Sequence, residues 1–343
     1  MLLHRLALLL ALTACSSTPA PTPADAKSSG DAGSDAKAAA CGPLDDVLRI
    51  NHLQCKGTHN SYHVAKPKPL DPALAYTHAP LEVQLESQGV RQFELDLHYE
   101  VGKPIEVKHI PAIDDLANCA GLTDCLQRIK TWSDAHPCHH PIFVIFEPKD
   151  DLDADPLVGH WDQVDSEILS VFPRERIVTP ADVRGTHQTL QQAVLAEGWP
   201  KLGFGRGKVV LGMMDENGNG DDYKKLHPNL ANALIFVMGE PTDPDTAFVK
   251  RDDPHAADVM DIVKKGYLVR TYPNGDASTG KAVAQAELDV ALASGAHMIS
   301  SDFPVFEPRC PDFEDVIPGG TPSRCNPVSA PANCTPTAIE FLH

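Results

Sequence analysis

Short apolar, β-branched runs recur along this chain, and their alternation with helical patterns restricts the fold more than any other feature. The runs are HLQCKG (52–57), RQFELDLHY (91–99), IEVKHI (105–110), PIFVIFEP (141–148), KVVLGMM (208–214), ALIFVMG (233–239), GYLVRTY (266–272) and HMISSDF (297–303). Most of the gaps carry a helical spacing of apolar residues, as in LEVQLESQG, DCLQRIKTW, VDSEILSVF, TLQQAVLAEGW, AADVMDIVKKG and AVAQAELDVALASG. Eight strands alternating with helices predict an α/β fold, a closed parallel (β/α)8 barrel of the TIM type. The stretch from Cys41 to His343, roughly 300 residues, falls in the size range of that fold.

The segment before Cys41 cannot belong to such a barrel. The chain opens MLLHRLALLLALTAC, with one Arg, an apolar run from Leu6 to Leu12, and Leu-Thr-Ala ahead of Cys15. That run is far shorter than the roughly 20 residues that cross a bilayer, so residues 1–14 read as a secretory signal. Leu-Thr-Ala-Cys resembles a bacterial lipobox, which makes Cys15 the expected lipid-modified first residue of the mature protein. Residues 16–40 contain no large apolar side chain and read as a tether. An exported, membrane-anchored lipoprotein of the cell envelope is the expected location.

Setting Cys15 aside leaves Cys41, Cys55, Cys119, Cys125, Cys138, Cys310, Cys325 and Cys334. An even count in an exported chain favours disulfides, with the pairing open; without a Cys-x-x-Cys, a zinc site is not expected. The net charge of −18 argues against a nucleic-acid partner and leaves carboxylates available to hold a cation.

The polar residues of the runs then acquire a common address. His59 and Asn60 follow the first run, Glu94 and Asp96 lie in the second, His109 ends the third and Glu147 the fourth. Arg270 and Tyr272 end the seventh, and Asp302 ends the eighth. All sit at or near carboxyl ends of strands, the face on which such barrels do chemistry. Glu94 and Asp96 are two apart and project from one side of their strand. Asn60, Glu94, Asp96 and Glu147 offer hard oxygen ligands suited to calcium, and His59 and His109 remain to move protons. That combination suits phosphodiester cleavage, in which a cation offsets phosphoryl charge and a histidinium protonates the leaving oxygen.

These residues bring the sequence to a resemblance. THNSY (58–62), GVRQFELDLH (89–98), VKH (107–109), PIFVIFE (141–147), GKVVLG (207–212), VRTYP (269–273) and GAHMISSDF (295–303) resemble the calcium-dependent phosphoinositide-specific phospholipases C, a family of TIM-barrel phosphodiesterases. The resemblance implies that His59 and His109 are the catalytic pair and that Asn60, Glu94, Asp96 and Glu147 bind calcium, with Glu147 or Glu94 as base. It implies that Arg270 and Tyr272 contact the inositol headgroup, and that phosphatidylinositol is cut through a cyclic inositol phosphate. Family members that act on phosphorylated inositides carry two lysines where this chain has Gly212 and Met214, so unphosphorylated phosphatidylinositol or a glycan-linked form is the expected substrate. A monomer working at a lipid surface is expected.

Two other functions fit parts of the pattern. Glycerophosphodiester phosphodiesterases share a Glu-x-Asp strand but resemble His-Arg where this chain has His59-Asn60. A noncatalytic surface lipoprotein that binds inositol lipids would have no use for an acid/base pair. DENGNGDD (215–222) copies the first half of an EF-hand loop, but Leu226 stands where a bidentate Glu is required, so a polar loop at the rim is expected. His139 and His140 are expected to face solvent.

Overall fold

Among the described residues, eleven strands form one curled sheet, of which eight are the parallel staves of a barrel. They are β1 (Leu53–Thr58), β2 (Val90–His98), β3 (Glu106–Val107), β4 (Ile142–Pro148), β5 (Ile177–Val178), β6 (Val209–Met214), β7 (Ile235–Met238), β8 (Phe248–Lys250), β9 (Leu268–Thr271), β10 (Met298–Ser301) and β11 (Ser323–Cys325). The computed structural model describes residues 41–340 apart from residues 154, 274–280, 308, 311 and 320–321. The expected leader, Cys15 and the tether up to residue 40 lie outside the described residues. Among those described, no helix is long and apolar enough to cross a membrane.

The staves follow one another as β7, β6, β4, β2, β1, β10, β9 and β8, each pair parallel. The Gly239 N–H, donating to the Phe248 carbonyl at 3.1 Å, joins β7 back to β8 and closes the ring. Strands buried on both faces carry continuous apolar runs, and IFVIF of β4 and VVL of β6 are buried throughout. The helices expected from the gaps are all present, the longest being Leu122–Ala135 and Lys281–Ser294.

Two expectations need correction, and the cysteine pairing left open can be filled in. The run IEVKHI is not a barrel stave; only Glu106–Val107 is extended, and it pairs antiparallel with the end of β2 as a returning hairpin. The missing stave is the three-residue β8, whose short FVK core lies between charged loops and offers no alternation to read. Of the eight cysteines, six form Cys41–Cys138, Cys119–Cys125 and Cys325–Cys334, while Cys55 and Cys310 are buried thiols. His139 and His140 are buried rather than solvent-facing. His139 donates from Nδ1 to the His140 carbonyl at 2.5 Å, and His140 donates from Nδ1 to the Pro141 carbonyl at 2.8 Å.

The C-terminal extension explains that burial. β11 runs antiparallel to Leu53–Cys55, ahead of the point where β2 joins β1. Glu340 then reaches beneath the barrel, where Oε1 accepts from Arg91 Nε at 2.9 Å and Oε2 accepts from the His140 amide at 3.0 Å. Burial would raise this carboxyl, but the Arg91 guanidinium outweighs it and holds Glu340 down at about 2.

Candidate active site

At the carboxyl end of the barrel, β2 and β4 are in register so that Asp96 lies beside Glu147. Glu94, two residues before Asp96, points to the same side of β2. Carboxylate oxygens of Glu94, Asp96 and Glu147 lie within 4.8 Å of one another. Glu94 and Asp96 are fully buried, whereas the Glu147 side chain keeps 17% of its surface exposed. Burial first, and then the neighbouring Glu147 charge, raise the Asp96 carboxyl well above the usual range. Glu94 Oε1 and Asp96 Oδ1 are buried acceptors without a hydrogen-bond partner. Such orphaned oxygens in an all-oxygen set are what a hard divalent cation satisfies.

Asn60, the fourth expected ligand, lies in the loop after β1. Its φ of 43° lies in the left-handed region, which Asn tolerates better than most residues. Its Oδ1 accepts from the Tyr62 hydroxyl at 3.3 Å, and its Nδ2 donates to the Tyr76 hydroxyl at 3.3 Å. The two tyrosine hydroxyls thereby fix the orientation of the amide.

Each of the two expected catalytic histidines is gripped by a carboxylate. His59 Nδ1 lies 2.9 Å from Asp302 Oδ1, and Nε2 lies 3.5 Å from Glu94 Oε1. Burial alone would lower its pKa; the charges of Glu94 and Asp302 outweigh that and push it up to about 9. Asp302 is correspondingly pulled down to about 2, because His59 and Arg309 overcome its own burial. His109, in the loop beyond β3, places Nδ1 2.8 Å from Asp114 Oδ2. Its pKa is lowered by burial, against the Asp114 hydrogen bond and with help from the Lys149 charge. The same Asp114 oxygen also lies 2.8 Å from His63 Nε2. Ala112, with φ of 62°, turns the backbone so that Asp114 comes back against His109.

The two residues expected at the headgroup take different positions. Tyr272 rests its ring 4.5 Å from that of His59 and donates its hydroxyl to Asp302 Oδ2 at 3.1 Å. Arg270 is buried beneath the mouth, with Nη2 donating to Glu94 Oε2 at 2.5 Å and Nη1 paired with Asp252. Its charge therefore serves first to hold Glu94.

Asp302 stood out in the sequence only by its place at a strand end; its partnership with His59 joins opposite ends of the chain and left no local signal. Asp114 and His63 carried none either. Lys149 did: it follows Glu147 by two in an extended stretch, so both point to one side. Its Nζ lies 2.5 Å from Glu147 Oε1 and 3.1 Å from Asp96 Oδ2. The DENGNGDD segment is a loop entering the helix Asn219–Leu226, with Asp215 Oδ1 accepting from the Gly220 amide at 2.9 Å.

No curated protein matches the chain. Among solved structures, a calcium-dependent phosphatidylinositol-specific phospholipase C from Streptomyces antibioticus superposes with a TM-score of 0.58 at 21% identity, covering 75% of this chain and 95% of that one. A calcium-dependent phosphoinositol-specific phospholipase C from a Pseudomonas species, in a myoinositol complex, gives 0.55 at 21% identity over 81% and 95%. At that identity the likeness speaks for the TIM-barrel fold. The family model described as "Phosphoinositide phospholipase C, Ca2+-dependent" matches residues 48–103 and 100–327, well over half of the sequence. The chain belongs to the calcium-dependent phosphoinositide phospholipase C family.

Proposed function

We propose that the protein cleaves phosphatidylinositol, or a glycan-linked form of it, to diacylglycerol and a cyclic inositol phosphate that is then hydrolysed. One observation carries this reading: a buried, all-oxygen acidic cluster shares a barrel face with two histidines, each oriented by its own carboxylate. The family match favours neither a glycerophosphodiesterase nor a noncatalytic lipid-binding protein.

Asn60, Glu94, Asp96 and Glu147 would hold calcium, which would there offset charge on the phosphoryl oxygens and lower the pKa of the attacking hydroxyl. Glu147, the one of the three carboxylates with appreciable exposure, takes the proton of the inositol 2-hydroxyl. His59, fixed by Asp302 on one ring nitrogen, turns the other toward the phosphoryl oxygens. With Nδ1 engaged by Asp114, His109 has Nε2 free to protonate the glycerol oxygen as the bond to phosphorus breaks. The negative phosphodiester counteracts the burial that lowers this histidine. In the second half the same groups reverse: His109 takes a proton from water, which opens the cyclic ester. Tyr272 offers its ring to the inositol face beside His59, and Arg270 keeps Glu94 in place.

Leu70, Val101, Ile113, Leu152 and Phe306 are exposed in segments that follow β1, β2, β3, β4 and β10, an apolar content that suits a lipid surface. A lipid on Cys15 would keep the barrel near that surface; Cys15→Ser should move the protein from the membrane to the soluble fraction, and unchanged membrane retention would refute the anchor. The central test is product analysis on phosphatidylinositol with calcium and with chelator. Cyclic inositol phosphate that forms only with calcium is expected; undiminished cleavage after exhaustive chelation would remove the metal from the mechanism.

A further inference from the structure

Glu147 and Lys149 leave β4 on the same side, so the strand that supplies a calcium ligand also supplies a cation to the same spot. Lys149 Nζ lies 2.5 Å from Glu147 Oε1 and 3.1 Å from Asp96 Oδ2, and its side chain is 13% exposed. The third carboxylate, Glu94, already has its own cation in Arg270. Lys149 is thus the ammonium that balances Asp96 and Glu147, and it does so through oxygens that a metal ion would use.

We propose that Lys149 is an internal competitor for the calcium site: its ammonium caps Asp96 and Glu147 when the ion is absent and withdraws toward the rim when the ion binds, which sets how much calcium the enzyme needs. The inference rests on the ligand set of the proposed function. An ammonium on a flexible four-carbon stem can do this where an Arg, held by a planar fork, could not withdraw as readily. Calcium bonds to carboxylate oxygens at roughly 2.3–2.6 Å and would use the lone pairs that the ammonium engages, so both cannot keep them.

Calorimetric titration of calcium into the mature protein and into Lys149→Met tests this. Removing one positive charge a few Å from a divalent ion is worth about tenfold to a hundredfold in affinity, so the variant should bind calcium that much more tightly, while Lys149→Arg, which keeps the charge, stays near or below wild type. Equal or weaker binding by Lys149→Met overturns the proposal. A second measurement uses the wild-type protein alone: acylation of Lys149 by an amine-reactive reagent, read by peptide mass spectrometry, should rise when calcium is added. Labelling that is unchanged or lower with calcium overturns the proposal even where the variants fold poorly. Absence of calcium binding in every form would instead overturn the ligand set, and the proposal with it.

Discussion

Lowering the pH from 6.5 to 5.5 should destabilise this protein steeply, because several of its histidines are folded into places that admit only the neutral ring. His297 shows why. Its Nδ1 accepts the Val269 amide at 3.1 Å while Nε2 donates to the Asn51 carbonyl at 3.0 Å, so a second ring proton would meet an N–H head on. Burial holds His297 down at about 4, and does the same to His78 and His139 at about 4 and to His140 at about 3, against an ordinary value of 6.5. Below pH 6.5 the unfolded chain binds protons that the folded one refuses, so stability falls as pH falls and returns as it rises. Across that one unit each such histidine costs about 1 kcal/mol, and the four together about 4 kcal/mol. His59, pushed up to about 9, works in the opposite sense, but it is charged in the fold throughout this window and recovers only a few tenths of a kcal/mol. For a domain of roughly 300 residues the net loss corresponds to a fall in Tm of about 6 °C. Calorimetry or circular dichroism in chelator, at both pH values, measures it without interference from metal binding. A Tm that is flat or higher at pH 5.5 would refute the reasoning.

The catalytic assignments make further demands. His59→Ala and His109→Ala should each lower turnover on phosphatidylinositol by about 10²-fold to 10⁴-fold; near wild-type rates in well-folded variants would contradict their roles. Asp114→Asn should cost much less with a nitrophenyl inositol phosphate, whose leaving group needs no acid, than with the lipid; equal losses would make Asp114 merely structural. Asp96→Asn should raise the calcium needed for half-maximal activity, since a full ligand charge is removed, and an unchanged requirement would exclude Asp96 from the site. Phosphatidylinositol should be cut faster than its bisphosphate in mixed micelles. A side chain at Gly212 would meet the Phe248 ring, and Lys208 lies at the other end of β6 with its ammonium 3.8 Å from the Phe204 ring. In the adjoining cleft of about 640 Å³, Lys250 and Arg251 are already paired with Glu216 at 3.0 Å and with Glu240 at 2.7 Å. Equal or faster cleavage of the bisphosphate would show that these pairs open to accept phosphate.

What the sequence revealed of this fold is what local pattern can carry. Long apolar strands such as β2, β4 and β6 announced themselves, and strand-end residues followed from them, because period two fixes which side chains share a face. The run IEVKHI misled because a short amphipathic stretch has the same pattern whether it joins the barrel or folds back on β2; only the partner decides. β8 was invisible because closure of the ring, not its own three residues, keeps it extended. His139 and His140 looked exposed as a polar pair before a strand, and Glu340, the acid that helps bury them, comes from the far end of the chain. The same distance hid Asp302 from His59.

The C-terminal clamp also bears on when the barrel can form during synthesis. β1 is made long before β10 and β11, which pair along it, and before Glu340, which closes on Arg91. Until then β1 has unpaired edges and the underside of the barrel lacks its acid. A chain wired this way has many contacts between distant residues and folds slowly. Closure of β1 on both sides therefore waits for the chain beyond β9.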